Sequence, residues 1–164
     1  MTQAIVPEEE PVSVALELHH RRLDDLLDRV EIDIEAGDWS EARRRFSLFR
    51  QELDEHIRIE EDLLFPSLES PGRPGAGACG VMRAEHAEIR RVMDMVEELL
   101  EDGQPIGEAT DMLETILAAH NAKEERVLYP MFERLAPPEA YAALASELRP
   151  LLRVAQRGPT PSYR

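Results

Sequence analysis

Apolar residues recur at three- and four-residue steps through most of the chain. Leu16, Leu23, Leu27, Val30 and Ile34 lie on one helical face, and Gly37 is a plausible stop. Pro11 suits a helix's first turn, with Glu8, Glu9 and Glu10 on the side its dipole favours. Asp38, with Glu41 three residues on, has the form of a capping box. The helix it opens carries Ala42, Phe46, Phe49, Leu53, Leu63 and Leu64 on one face and runs to about Phe65. "SPGRPGAGA" (70–78) is turn chemistry. A third helix aligns Met82, Ile89, Met93, Val96 and Leu100. After a break near Gly103 and Pro105, a fourth aligns Ala109, Leu113, Ile116, Val127 and Met131.

Four helices of roughly 23–28 residues, each about 35–42 Å long, joined mostly by short turns, predict an all-α protein. The economical arrangement is an up-down-up-down antiparallel four-helix bundle. A shorter fifth helix follows, interrupted near Pro150, which could cap the bundle or form a homodimer face. The expected organisation is a flexible N-terminal arm (1–10), the bundle (11–135), a C-terminal helix (136–156) and a disordered tail (157–164).

The histidines change the picture. "HIRIEEDLLFPSLE" (56–69) is repeated 64 residues later as "HNAKEERVLYPMFE" (120–133). "HRRLDDLLDRVE" (20–31) matches "HAEIRRVMDMVE" (86–97) at an offset of 66. Helices one and two therefore resemble helices three and four as a unit. His20, His56, His86 and His120 fall one to each apolar face, and Glu60 and Glu124 lie one turn beyond His56 and His120. Two hairpins related by a pseudo-twofold axis would gather four imidazoles and two carboxylates at mid-height. Buried carboxylates are costly when unpaired. A metal pair would neutralise them, and ligation by nitrogen and oxygen without thiolate suits Fe, Mn or Zn, with the glutamates as bridges. The bland reading is four core histidines and surface His/Glu pairs, but symmetric placement of all six is hard to reach that way.

These motifs resemble the hemerythrin-like family, in its HHE cation-binding branch, over about residues 12–133. The resemblance implies a four-helix bundle holding two non-haem irons, usually bridged by oxo or hydroxo, through His20, His56, Glu60, His86, His120 and Glu124. It implies roles in binding or sensing O2, sensing or storing iron, or handling peroxide or nitric oxide. Oxygen carriers of the family have a fifth histidine where this chain has Arg90. The residues that remain leave about one opening per metal, which favours sensing, iron handling or redox chemistry over carriage. The departure also leaves room for a centre with one Fe or Zn only. Arg90 is expected to face outward or to pair with a carboxylate. Oxygen carriers take their fourth-helix carboxylate one residue later, at Glu125 here, but the internal repeat supports Glu124. Glu61 and Glu125 are then expected to be solvated or to accept hydrogen bonds from ligand imidazoles. His19 is expected at the surface, with His20 the ligand.

Charge and composition narrow the partners. Of 164 residues, 34 are acidic and 19 are Lys or Arg, a formal net charge of −15 that repels nucleic-acid backbones and anionic membranes. No apolar run is long enough to cross a bilayer, and the first residues have no secretory pattern. With Cys79 the sole cysteine, a cytoplasmic setting is expected. O2, peroxide and nitric oxide are the candidate small ligands. The redox or signalling partner is not identified by the sequence, nor is it fixed whether the protein is a binder, a peroxide- or NO-consuming di-iron oxidoreductase, or a metal-free interaction module.

Three smaller expectations complete the reading. Glu17-x-x-His20 is a coincidental match to a ferritin-like motif. Cys79, at a turn-to-helix junction, is an inert small residue. Met82, Met93, Met95 and Met112 fill core gaps, and Phe65 and Tyr129 pack at bundle ends, with Pro66 and Pro130 marking changes of chain direction.

Overall fold

A computed structural model describes residues 10–156, so the expected N-terminal arm, apart from Glu10, and the expected tail lie outside the described residues. Among the described residues every regular element is helical. Helix α1 is Val12–Glu35. Helix α2 begins as Trp39–Ile59, widens into a π-helical turn at Glu60–Leu64 and finishes as Phe65–Glu69. Helix α3 is Ala76–Glu101. Helix α4 repeats the plan of α2, with Gly107–Lys123, a π turn at Glu124–Leu128 and a final Tyr129–Leu135. Helix α5 is Pro138–Gln156.

The local signals act as their chemistry requires. Gly37 takes φ 78°, and its amide and that of Asp38 close the end of α1 on Ile34 and Asp33 carbonyls. The Asp38 carboxylate accepts the Glu41 amide at 3.0 Å. Gly75 is required by space. A Cβ there would lie 2.7 Å from Leu68 Cβ and 2.8 Å from the Leu68 carbonyl oxygen. Helix α3 starts at Ala76, inside the segment expected to be turn, directly after the close approach of Gly75 to Leu68.

The two π turns share one cause. A proline inside an α-helix has no N–H, and its ring strikes the carbonyl four residues back. Pro66 and Pro130 each follow a π turn, and the amides of Phe65 and Tyr129 reach back five residues to the Glu60 and Glu124 carbonyls. The helices continue past both prolines, so the expected changes of direction give way to a local widening. The extra residue rotates the remainder of each helix. Val127, expected in the core, is 47% exposed and Met131 and Leu63 are half-buried, while Leu128, Tyr129 and Phe132 are buried; ahead of the turn, Ile116 is half-buried and its neighbour Leu117 takes the inward place. Met112 is likewise exposed rather than gap-filling. Pro150 does not interrupt α5, which runs through it.

Polar contacts run in opposite order along neighbouring helices. Arg22 and Arg45 reach Glu52 and Asp33 between α1 and α2. Arg50 meets Glu97, and Glu61 meets His86, between α2 and α3. Glu31 meets Thr110, and His20 meets Glu125, between α1 and α4. Helix α5 lies against α1 and α2, with Leu144, Leu148 and Leu151 buried inside the chain. Two apolar clusters form the core. One contains Leu23, Leu27, Phe46, Phe49, Ile89, Val96 and Leu113, the other Leu16, Leu64, Phe65, Met82, Phe132 and Leu144. The buried histidines and glutamates lie along the chain between their members. Among the described residues no helix is long and apolar enough to cross a membrane.

Candidate metal centre

His20, His56, Glu60, His86, His120 and Glu124 are all buried, and the structure brings all six together. Their donor atoms form two groups that share the glutamates, His20/His56/Glu60/Glu124 and Glu60/His86/His120/Glu124, each with its atoms within 4.8 Å of one another. The carboxylates divide their oxygens between the groups. Glu60 sets Oε1 3.1 Å from His56 Nε2 and Oε2 3.3 Å from His86 Nε2. Glu124 sets Oε2 3.3 Å from His20 Nε2, and Oε1 2.9 Å from His120 Nε2 and 3.7 Å from His86 Nε2. Both glutamates open π turns, which gives each helix the added width at its carboxylate.

The hydrogen bonding is incomplete in a way that fits cations. Glu60 Oε2, Glu124 Oε1 and His86 Nε2 are buried with no hydrogen-bond partner, although Glu124 Oε1 is close to His120. Orphaned polar atoms are rare in a folded interior, and these three converge. Imidazole nitrogens and split carboxylates are a donor set for a pair of borderline divalent or trivalent cations.

In the protein without metal, protons balance the carboxylates. Burial alone would lower His20, but the hydrogen bond and charge of Glu124 outweigh it and raise the imidazole to about 9. His86 rises to about 10 against its burial, through Glu124 and Glu60. His120 also rises, chiefly through Glu124. Glu60 and Glu124 are correspondingly lowered despite burial, held ionised by the surrounding imidazoles.

The outward nitrogens are also held. His20 Nδ1 lies 2.8 Å from Glu125, His86 Nδ1 2.8 Å from Glu61, and His120 Nδ1 2.9 Å from Glu85. Glu61 and Glu125 therefore stand where the sequence placed them, and Glu124 rather than Glu125 enters the cluster. Arg90 lies at the rim, 38% exposed along its side chain, paired with Asp54 at 3.3 Å and Glu61 at 3.6 Å.

Two residues depart from expectation. His19 is fully buried, not at the surface, because the α1–α2 interface closes over it. Its Nδ1 is 2.8 Å from His56 Nδ1, and its Nε2 is 3.4 Å from Glu52 without the alignment of a hydrogen bond. Burial pushes His19 down to about 4, so it stays neutral and can accept from His56. Tyr129 does not pack at a bundle end. Its hydroxyl sits in the cluster, 2.6 Å from Glu60 Oε1, 3.0 Å from Glu124 Oε2, 3.0 Å from His20 Nε2 and 3.3 Å from His56 Nε2. Burial and the two carboxylates push its phenol well above the usual range. The repeat held the signal, since Phe65 and Tyr129 are aligned and differ only by that hydroxyl. Cys79 is buried, and burial raises its thiol to about 11.

The hemerythrin HHE cation binding domain family matches residues 12–155. An uncharacterised protein of Mycobacterium tuberculosis is 39% identical over 82 residues, 48% of this chain and 47% of its own length, as is one of Mycobacterium bovis. The iron-sulfur cluster repair protein YtfE of Salmonella newport is 28% identical over 92 residues, 49% of this chain and 41% of its own length. The chain thus spans less than half the length of these relatives. No solved structure matches it significantly.

Proposed function

The chain belongs to the hemerythrin HHE cation-binding family, and from that premise we propose that it is a non-haem di-iron protein that senses or handles O2, iron or reactive small molecules. His20 and His56 would hold one iron, His86 and His120 the other, with Glu60 and Glu124 shared between them, and an oxo or hydroxo group would complete the centre. The observation that carries this reading is the division of both carboxylates between two histidine pairs, with three converging atoms left unpartnered. The opposed order of contacts supports an up-down-up-down four-helix bundle over 11–135, and the buried leucines of α5 favour a cap over a dimer face. A reducing cytoplasm is the proposed setting.

Iron chemistry makes O2, peroxide and nitric oxide the candidate ligands. The likeness to an iron-sulfur cluster repair protein adds iron traffic as a role. Elemental analysis after anaerobic ferrous loading tests the centre. Two irons per chain are expected, and the His56→Ala/His120→Ala variant should lose stoichiometric metal. Full retention by that variant would sink the assignment. Peroxide or NO turnover that disappears in His120→Ala would make the protein an oxidoreductase rather than a binder. A metal-free interaction module is disfavoured by the orphaned atoms and would bind no iron at all.

A further inference from the structure

The two halves of the centre are not equivalent. Phe65 stacks on His86 with ring centroids 5.7 Å apart, and Tyr129 stacks on His20 at the same 5.7 Å. The rings thus stand in related places, but only the second carries an oxygen. That oxygen lies among donors and not at the edge of them.

Its distances have the form of a coordination sphere. A six-coordinate cation with bonds of about 2.1 Å separates neighbouring donors by about 3.0 Å. His20 Nε2 is 3.2 Å from His56 Nε2, His56 Nε2 is 3.1 Å from Glu60 Oε1, and Glu124 Oε2 is 3.3 Å from His20 Nε2. These four atoms succeed one another as a base. The Tyr129 oxygen neighbours all four, at 2.6–3.3 Å, as an apex would.

We propose that Tyr129 is a direct oxygen ligand of the cation held by His20 and His56, and that the His86/His120 cation keeps the single position open to an exogenous small molecule. The inference rests on the di-iron reading and deepens it. On ligation the phenol O–H bond breaks, the oxygen pair is donated to the cation and the proton passes to solvent, with no change of oxidation state. Of the two openings counted for the pair, Tyr129 fills the one beside His20 and His56, and the one on the His86 side, where Arg90 stands in place of a histidine, stays free. The phenyl ring of Phe65 offers no such donor.

The test uses the full chain loaded with two equivalents of ferrous iron and oxidised in air. The ferric protein should show a visible phenolate-to-iron charge-transfer band, and Raman ring modes excited within it should shift when tyrosine is ring-deuterated. Tyr129→Phe, which keeps the ring's volume, should retain two irons and lose the band. Azide should bind once per wild-type chain and twice per Tyr129→Phe chain. Two irons in the wild type without a phenolate band would overturn the ligand assignment and leave the di-iron reading standing. A band that persists in Tyr129→Phe, or two azides on the wild type, would overturn it equally. A wild-type chain that takes up no iron would overturn both readings. The wild-type spectrum decides the matter even where the variant misfolds.

Discussion

Raising the pH of the metal-free protein should destabilise it, and the centre gives the size. Folding moves His20 from 6.5 to about 9 and His86 from 6.5 to about 10. Between pH 6.5 and those values the native state binds more protons than the unfolded chain, so stability falls as pH rises. It is fully present below 6.5, and the loss is complete only above about 10. His19, lowered to about 4, is neutral in the native state, and its slope, of opposite sign, falls mainly between about 4 and 6.5, below most of this window. At about 1.4 kcal/mol per pH unit, His20 alone accounts for about 3 kcal/mol. His20 and His86 share Glu124, so the second shift does not add in full. A loss of about 3 kcal/mol is a large part of a usual stability of about 5–15 kcal/mol. With a urea m value of about 2 kcal/mol/M, the midpoint should drop by about 1.5 M between pH 6.5 and 9.5 in chelator. The iron-loaded protein should show little slope, because ligated imidazoles are neutral and the cations replace their protons. A chelated midpoint that stays level or rises with pH would refute the claim that Glu60 and Glu124 are balanced by imidazolium.

Other outcomes depend on single contacts. Glu61→Gln or Glu125→Gln removes the anionic acceptor behind His86 or His20, and competition with a chromophoric chelator should show iron affinity down about 10–100-fold. Gly75→Ala forces a Cβ against Leu68 and should lower stability by about 1–3 kcal/mol in urea melts. Phe49→Ala empties a fully buried site and should lower stability by about 3–5 kcal/mol, read the same way. Cys79 should resist iodoacetamide at neutral pH in the folded protein and react once it is unfolded, since its thiol is both buried and raised to about 11.

The helices and the six buried donors were legible because both depend on spacing. Leu16 to Ile34 and Met82 to Leu100 keep a regular α period, and His20 and His86 could be placed from it directly. The same rule failed after Glu60 and Glu124. A π turn adds one residue and rotates the next segment by roughly a quarter turn, so Val127 was assigned inward and Tyr129 to an end. Pro66 and Pro130 were the warning, as prolines inside otherwise helical runs. His19 was misplaced for another reason. Adjacent residues on a helix point about 100° apart, and α1 is wrapped by α2, α4 and α5 closely enough to bury both neighbours. Neither π widening nor a second covered face leaves a trace in hydrophobic periodicity.

The polar layer between the two apolar clusters also acts as a vernier. Leucine-rich faces tolerate sliding, because one aliphatic layer packs against another with little discrimination. A slip of one helical turn, about 5.4 Å, would carry His86 or His120 out of the layer and leave a charged partner among leucines. The cost falls on every misaligned arrangement and on none of the correct one, as with a lone polar residue in a coiled-coil seam. With protons standing in for cations, that alignment is set before any iron arrives. The residues that would grip the metal thus also tell each helix how far to travel along its neighbours.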